Sequence, residues 1–128
     1  MPGSTLTGEQ LAAITREMVR IKTQHYGRGS AEAKTYQCDN FLFCVLRGGM
    51  TPVERNLLEH GDGALVRQVR LRFQEYNQAA FEDAVEQISG RRVLTYQSQV
   101  LFAPDYTVEI FVLGDPIPDD HASRPAPR

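Results

Sequence analysis

Hydrophobic positions change their period several times along this chain, and each change marks an element. Leu11, Ile14, Met18, Ile21 and His25 recur at steps of three and four, which is one stripe of a helix of about five turns, with Arg16, Glu17, Arg20 and Lys22 on its other side. Thr7-Gly8-Glu9-Gln10 in front of it is a capping-box pattern, and Gly27 or Gly29 ends it. Residues 31–37 and 40–47 then read as a β-hairpin turning at Asp39-Asn40. Its second strand, Phe41 to Leu46, is apolar on both faces, so helices must cover one side and something else the other. A second subunit fits that requirement.

The stretch 46–63 organises the middle of the chain. Gly48 and Gly49 can take the positive φ of a sharp turn, Thr51, Pro52 and Glu54 form a second capping box with proline at the first helical position, and Gly61 ends that short helix. Asp62 is placed to cap the next one. Residues 63–89 keep a helical period through Val66, Val69, Phe73, Tyr76, Ala80, Ala84 and Ile88, giving one helix of roughly 40 Å. A second apolar set, Leu65, Leu71, Phe81 and Val85, leaves more surface than a small domain covers alone. Arg67, Arg70, Arg72 and Gln74 are expected on a solvated side of it, paired with the acidic residues beyond them. Residues 91–99 and 106–113 are two more strands joined by turn residues Ala103-Pro104-Asp105, with Val108, Ile110 and Val112 on one face and Thr107 and Glu109 on the other.

The expected fold is α+β: a two-layer sandwich in the order α-β-β-α-α-β-β, with a mostly antiparallel four-stranded sheet covered by helices on one face. Residues 7–113 form its single domain, flanked by a flexible N-terminus at 1–6 and a disordered tail at 114–128 that holds four of the seven prolines. A chain of 128 residues with a net charge of −2 suits one such domain and offers phosphate no global attraction. Its longest apolar run falls far short of the ~20 residues of a membrane span, so direct insertion is not expected and a cytoplasmic location is. Cys38 should lie opposite Phe41 and Cys44 opposite Thr35, which makes them two reduced thiols packed as small hydrophobes.

Candidate chemistry is sparse. Gly27, Arg28, Gly29 and Ser30 could present consecutive N–H groups and a guanidinium to an anion, although a glycine-terminated helix explains the same letters. Thr23, His25, Tyr26, Arg28 and Thr95 are the scattered groups open to a small-ligand sensor, and His25, His60 and His121 are too far apart in sequence for metal spacing. We assign no catalytic residue, cofactor or metal. The element order also resembles a type II KH module, which would make the chain a nucleic-acid binder; Arg91-Arg92 suits that reading. The corner Gly61-Asp62-Gly63 does not, being one residue short and carrying an acid where phosphate would lie.

Tyr26-Gly27-Arg28-Gly29, Ala33 to Tyr36, the long block Leu46 to Leu58, Ser89 to Val93 and Val108 to Leu113 together resemble the MpsC-like family, over about residues 8–113. That resemblance implies a small cytoplasmic accessory or regulatory protein, tied to a bacterial sodium-translocating, membrane-potential-generating or inorganic-carbon system, with no established active site. Any association with a membrane transport complex would come through protein contact, because the chain lacks an apolar run long enough to span a bilayer, and action by protein contact fits the excess apolar surface. The excess apolar surface adds a homodimer to the expected partners.

Overall fold

A computed structural model describes residues 5–27 and 32–118. Helix α1 (Gly8–Tyr26) is followed by strands β1 (Glu32–Cys38) and β2 (Phe41–Arg47), helices α2 (Pro52–Glu59), α3 (Gly63–Tyr76) and α4 (Gln78–Ser89), and strands β3 (Arg91–Leu101) and β4 (Tyr106–Pro116). The four strands form one antiparallel sheet in the order β1-β2-β4-β3, so the two hairpins join through their second strands. Within the first hairpin Cys38 pairs with Phe41 and Thr35 with Cys44, the register expected from the Asp39-Asn40 turn. Cys44 is buried, and that burial pushes its thiol up to about 11. Cys38, expected to be packed, is exposed.

Helix boundaries follow local chemistry. Thr7 and Gln10 complete a capping box on α1, and Thr51 and Glu54 complete another on α2, where Pro52 needs no hydrogen-bonded N–H. At the end of α2, Gly61 takes φ 85°, its N–H donates to Leu58 O at 3.1 Å, and the N–H of Asp62 donates to Leu57 O at 2.8 Å. This paired arrangement satisfies two carbonyls the helix would otherwise leave open. Asp62 makes no side-chain cap on α3, contrary to expectation: its backbone sits at φ −96° and ψ 36°, outside the extended conformation from which Thr7 and Thr51 cap their helices.

The expected long helix is two helices. Asn77 leaves the helical path at φ −107°, its Nδ2 donates to Phe73 O at 3.0 Å, and its N–H is shared between Phe73 O and Gln74 O. A short amide side chain that bonds the backbone four residues back competes with the helix ladder. The resulting bend lets α4 turn onto α1 and the sheet, so Phe81 and Val85 reach the core. The element order is therefore α-β-β-α-α-α-β-β.

One hydrophobic cluster lies between the helices and the sheet. Ile14, Met18 and Ile21 of α1, Phe73, Phe81 and Val85 of the later helices, and Leu42, Cys44, Leu46, Tyr96, Phe111 and Leu113 of the strands build it. Its margins extend past the expected domain limits. Leu6, placed in a flexible N-terminus by the sequence, is 6% exposed and donates its N–H to Gln37 Oε1 at 2.7 Å. Strand β4 continues through Gly114, Asp115 and Pro116, and the N–H of Ile117 reaches Gly90 O at 2.7 Å. The remainder of the expected tail, 119–128, lies outside the described residues.

Candidate functional site

Charged side chains occupy the layer where α1, α2 and α3 meet the sheet, and Glu54 is its first centre. Its Oε1 accepts from the N–H of Thr51, closing the cap on α2, while both carboxylate oxygens also accept from Arg70, Nε to Oε2 at 2.8 Å and Nη2 to Oε1 at 3.0 Å. Tyr26 at the end of α1 donates its hydroxyl to the same carboxylate. Asp105 lies 3.5 Å from the remaining Arg70 nitrogen. One residue of the capping box thus links α1, α2, α3 and the β3–β4 turn. The turn is also held from behind, where Gly48, at φ 75°, donates its N–H to Asp105 O at 2.9 Å and Gly49 follows at φ 85°.

Glu109, 1% exposed at the middle of β4, is the second centre. Gln74 Nε2 donates to it at 2.5 Å, Tyr96 donates its hydroxyl, and Lys22 and Ser98 stand beside it. The two carboxyls are tuned in opposite directions. Burial drives Glu109 above the usual carboxylate range, only partly opposed by Tyr96, Lys22, Ser98 and Gln74. Burial acts on Glu54 in the same sense, but the hydrogen bonds from Arg70, Tyr26 and Thr51 outweigh it and hold that carboxyl at about 2. Lys22, 8% exposed, is lowered by burial against the attraction of Glu109.

These opposite tunings give opposite pH dependence. Glu54 has a folded pKa below its ordinary 4.5, so its stabilisation is complete above pH 4.5 and is lost as pH falls toward 2. Glu109 has a folded pKa above its ordinary value, so its contribution is present below pH 4.5 and is lost as pH rises through the folded value. The stability difference between wild type and Glu54→Gln should therefore shrink by about 3 kcal/mol between pH 5 and pH 2 in urea melts, whereas Glu109→Gln should gain relative to wild type as pH rises from 4.

Sequence reading misses most of this layer. Arg70 and Gln74, expected on a solvated helix side, are 3% and 2% exposed. Lys22, expected opposite the apolar stripe of α1, is buried, while His25, expected on that stripe, is exposed. Of the residues proposed for a ligand, some are described and some are not. Gly27 ends α1 at φ 96° with its N–H donated to Thr23 O at 3.1 Å, so that donor is engaged in the cap; Arg28, Gly29 and Ser30 lie outside the described residues. Thr95 sits on β3 opposite Val112, away from Tyr26 in the ionic layer. Arg91, which suited a nucleic-acid surface, is 3% exposed and gives Nε to Gly114 O and Nη2 to Asn40 Oδ1, both at 2.9 Å. Among the described residues no group of three His, Cys, Asp or Glu could hold a metal ion.

Where the ionic layer is closed, two apolar surfaces are open. On α3, Leu65, Val69 and Tyr76 are 47%, 48% and 76% exposed and line, with Gln68, Arg72 and Phe73, a groove of about 520 Å³. On the sheet, the side away from the helices carries Phe41, Phe43 and Val45 of β2 beside Val112, Ile110 and Val108 of β4. The Phe41 and Phe43 rings stack there with centroids 5.9 Å apart, and Phe41 is 44% exposed. The apolar character of β2 on both faces is thus accounted for on one side by the core and left open on the other.

Such a molecule belongs to the class of small α+β domains whose ionisable core groups are engaged with one another and whose uncovered surface is apolar. Among the described residues no helix is long and apolar enough to cross a membrane. The chain belongs to the MpsC family: the family described as Na+-translocating membrane potential-generating system (MpsC) matches residues 7–115. No curated protein and no solved structure matches the chain.

Proposed function

We propose that this chain is an accessory component of a Na+-translocating membrane-potential-generating system, attached to the membrane-embedded part by protein contact. The observation that carries this reading is the groove on α3. Leu65, Val69 and Tyr76 form a stripe at helical spacing that nothing in the described chain covers, and Arg72 stands on its margin. An apolar stripe with a polar rim is the anatomy of a surface that receives another protein, most simply an amphipathic helix or loop. Family membership supplies the setting in which that partner is sought.

Affinity purification of the tagged chain from detergent-solubilised membranes of its own cells tests the proposal. Ion-translocating membrane subunits should co-purify in stoichiometric amount, and Val69→Lys, a change at a 48% exposed position, should remove them while leaving the fold intact. Recovery of the wild-type chain without such subunits would overturn the reading.

A further inference from the structure

We infer that the open face of the sheet is the contact between two copies of this chain, packed sheet on sheet. The inference is independent of the α3 groove, which lies on a different element.

The face is arranged in ranks by the strand register. Tyr36 stands beside Phe43, Ile110 and Gln97, and Lys34 stands beside Val45, Val108 and Gln99. Each rank has an apolar centre on β2 and β4 and polar ends on β1 and β3, which is the anatomy of an interface core with its rim. Four strands at ~4.8 Å spacing and seven residues at ~3.4 Å rise make a face of about 19 by 24 Å, so two copies would bury on the order of 1,000 Å². That is the lower limit for a biological interface, the range of a reversible dimer.

Charge selects a second copy. The charged groups of this face all lie on the β1–β2 side: Lys34, 5.2 Å from the Tyr36 ring, and Arg47, 5.2 Å from the Tyr106 ring and paired with Glu32 at 3.6 Å. The opposite edge, at Thr95, Gln97 and Gln99, is neutral. A two-fold axis lying between the sheets and parallel to the strands places β2 over the partner's β4 and the charged edge, with Glu32, Lys34 and Arg47, over the neutral one, so like charges never meet. Phe43 then faces Ile110 of the partner subunit, and Lys34 faces Gln99 of the partner subunit.

Light scattering across a dilution series, with circular dichroism to check folding, tests this arrangement. The full chain should run at twice 14.4 kDa at micromolar concentration. Ile110→Lys should raise the dimer dissociation constant at least 100-fold. Gln99 is exposed and polar, so changes there leave the fold alone: Gln99→Lys should weaken the dimer about tenfold by facing Lys34 twice across the axis, and Gln99→Glu should tighten it by a similar factor at low salt. A wild-type monomer throughout the series would overturn the proposal. So would a dimer whose dissociation constant is the same in folded Ile110→Lys and in both Gln99 variants, or a monomer whose sheet face is shielded only when another protein is bound.

Discussion

Replacing Arg70 with methionine is expected to destabilise the fold by about 3–5 kcal/mol, the effect of leaving a buried charge without its partner. Arg70 is 3% exposed and supplies two hydrogen bonds to Glu54, which is itself 5% exposed. Without the guanidinium, the Glu54 carboxylate keeps only the Thr51 N–H and the Tyr26 hydroxyl, and Asp105 loses its cation. Removing both charges together is predicted to behave differently. Glu54→Leu with Arg70→Met gives up the pair along with its desolvation cost, and should recover much of the loss despite the missing cap. Urea melts of the two single variants and the double variant give the coupling directly. Additive single effects would mean that the pair does not act as a unit.

Phe111→Ala is expected to cost a similar 3–5 kcal/mol through the cavity it leaves. Phe111 is fully buried on β4, between Leu42 of β2 and Tyr96 of β3 in the register, and its ring lies 5.1 Å from that of Tyr96. Tyr96 in turn lies 5.9 Å from Phe81 of α4 and donates its hydroxyl to Glu109. The cavity therefore opens beside the ring that carries this hydrogen bond. Phe111→Leu, which retains most of the volume, should cost clearly less. Urea melts of the two variants rank them, and equal losses would point to the tilted contact between the Phe111 and Tyr96 rings and not the cavity as the main term.

Much of the backbone was legible in the residues. The capping boxes, the left-handed glycines at 48, 49 and 61, and the first hairpin's register rest on local rules that tertiary structure had no reason to override. The break at Asn77 was not legible, because the apolar period runs through it and only the amide's bond to Phe73 O marks the bend. The ionic layer was hidden for another reason. Alternation along β4 separates Val108, Ile110 and Val112 from Thr107 and Glu109, and burial arithmetic alone would turn the valine side inward. The helices instead cover Thr107, Glu109, Phe111 and Leu113: Phe111 and Leu113 join the core, and Glu109 finds partners on α3 and β3. Periodicity registers apolar residues and cannot see that Arg70, Gln74, Lys22 and Glu109 lie close together across several elements. The apolar valine side was thereby left on the surface, where the proposed dimer contact lies.

In the proposed division of labour, the ionic layer maintains the fold and the α3 groove makes the outside contact. Quantitative co-purification from solubilised membranes, comparing wild type, Val69→Lys and the double variant Glu54→Leu with Arg70→Met, separates those roles in one measurement. The prediction is that Val69→Lys loses the membrane subunits while the folded double variant retains them. Loss in the double variant with retention by Val69→Lys would contradict it.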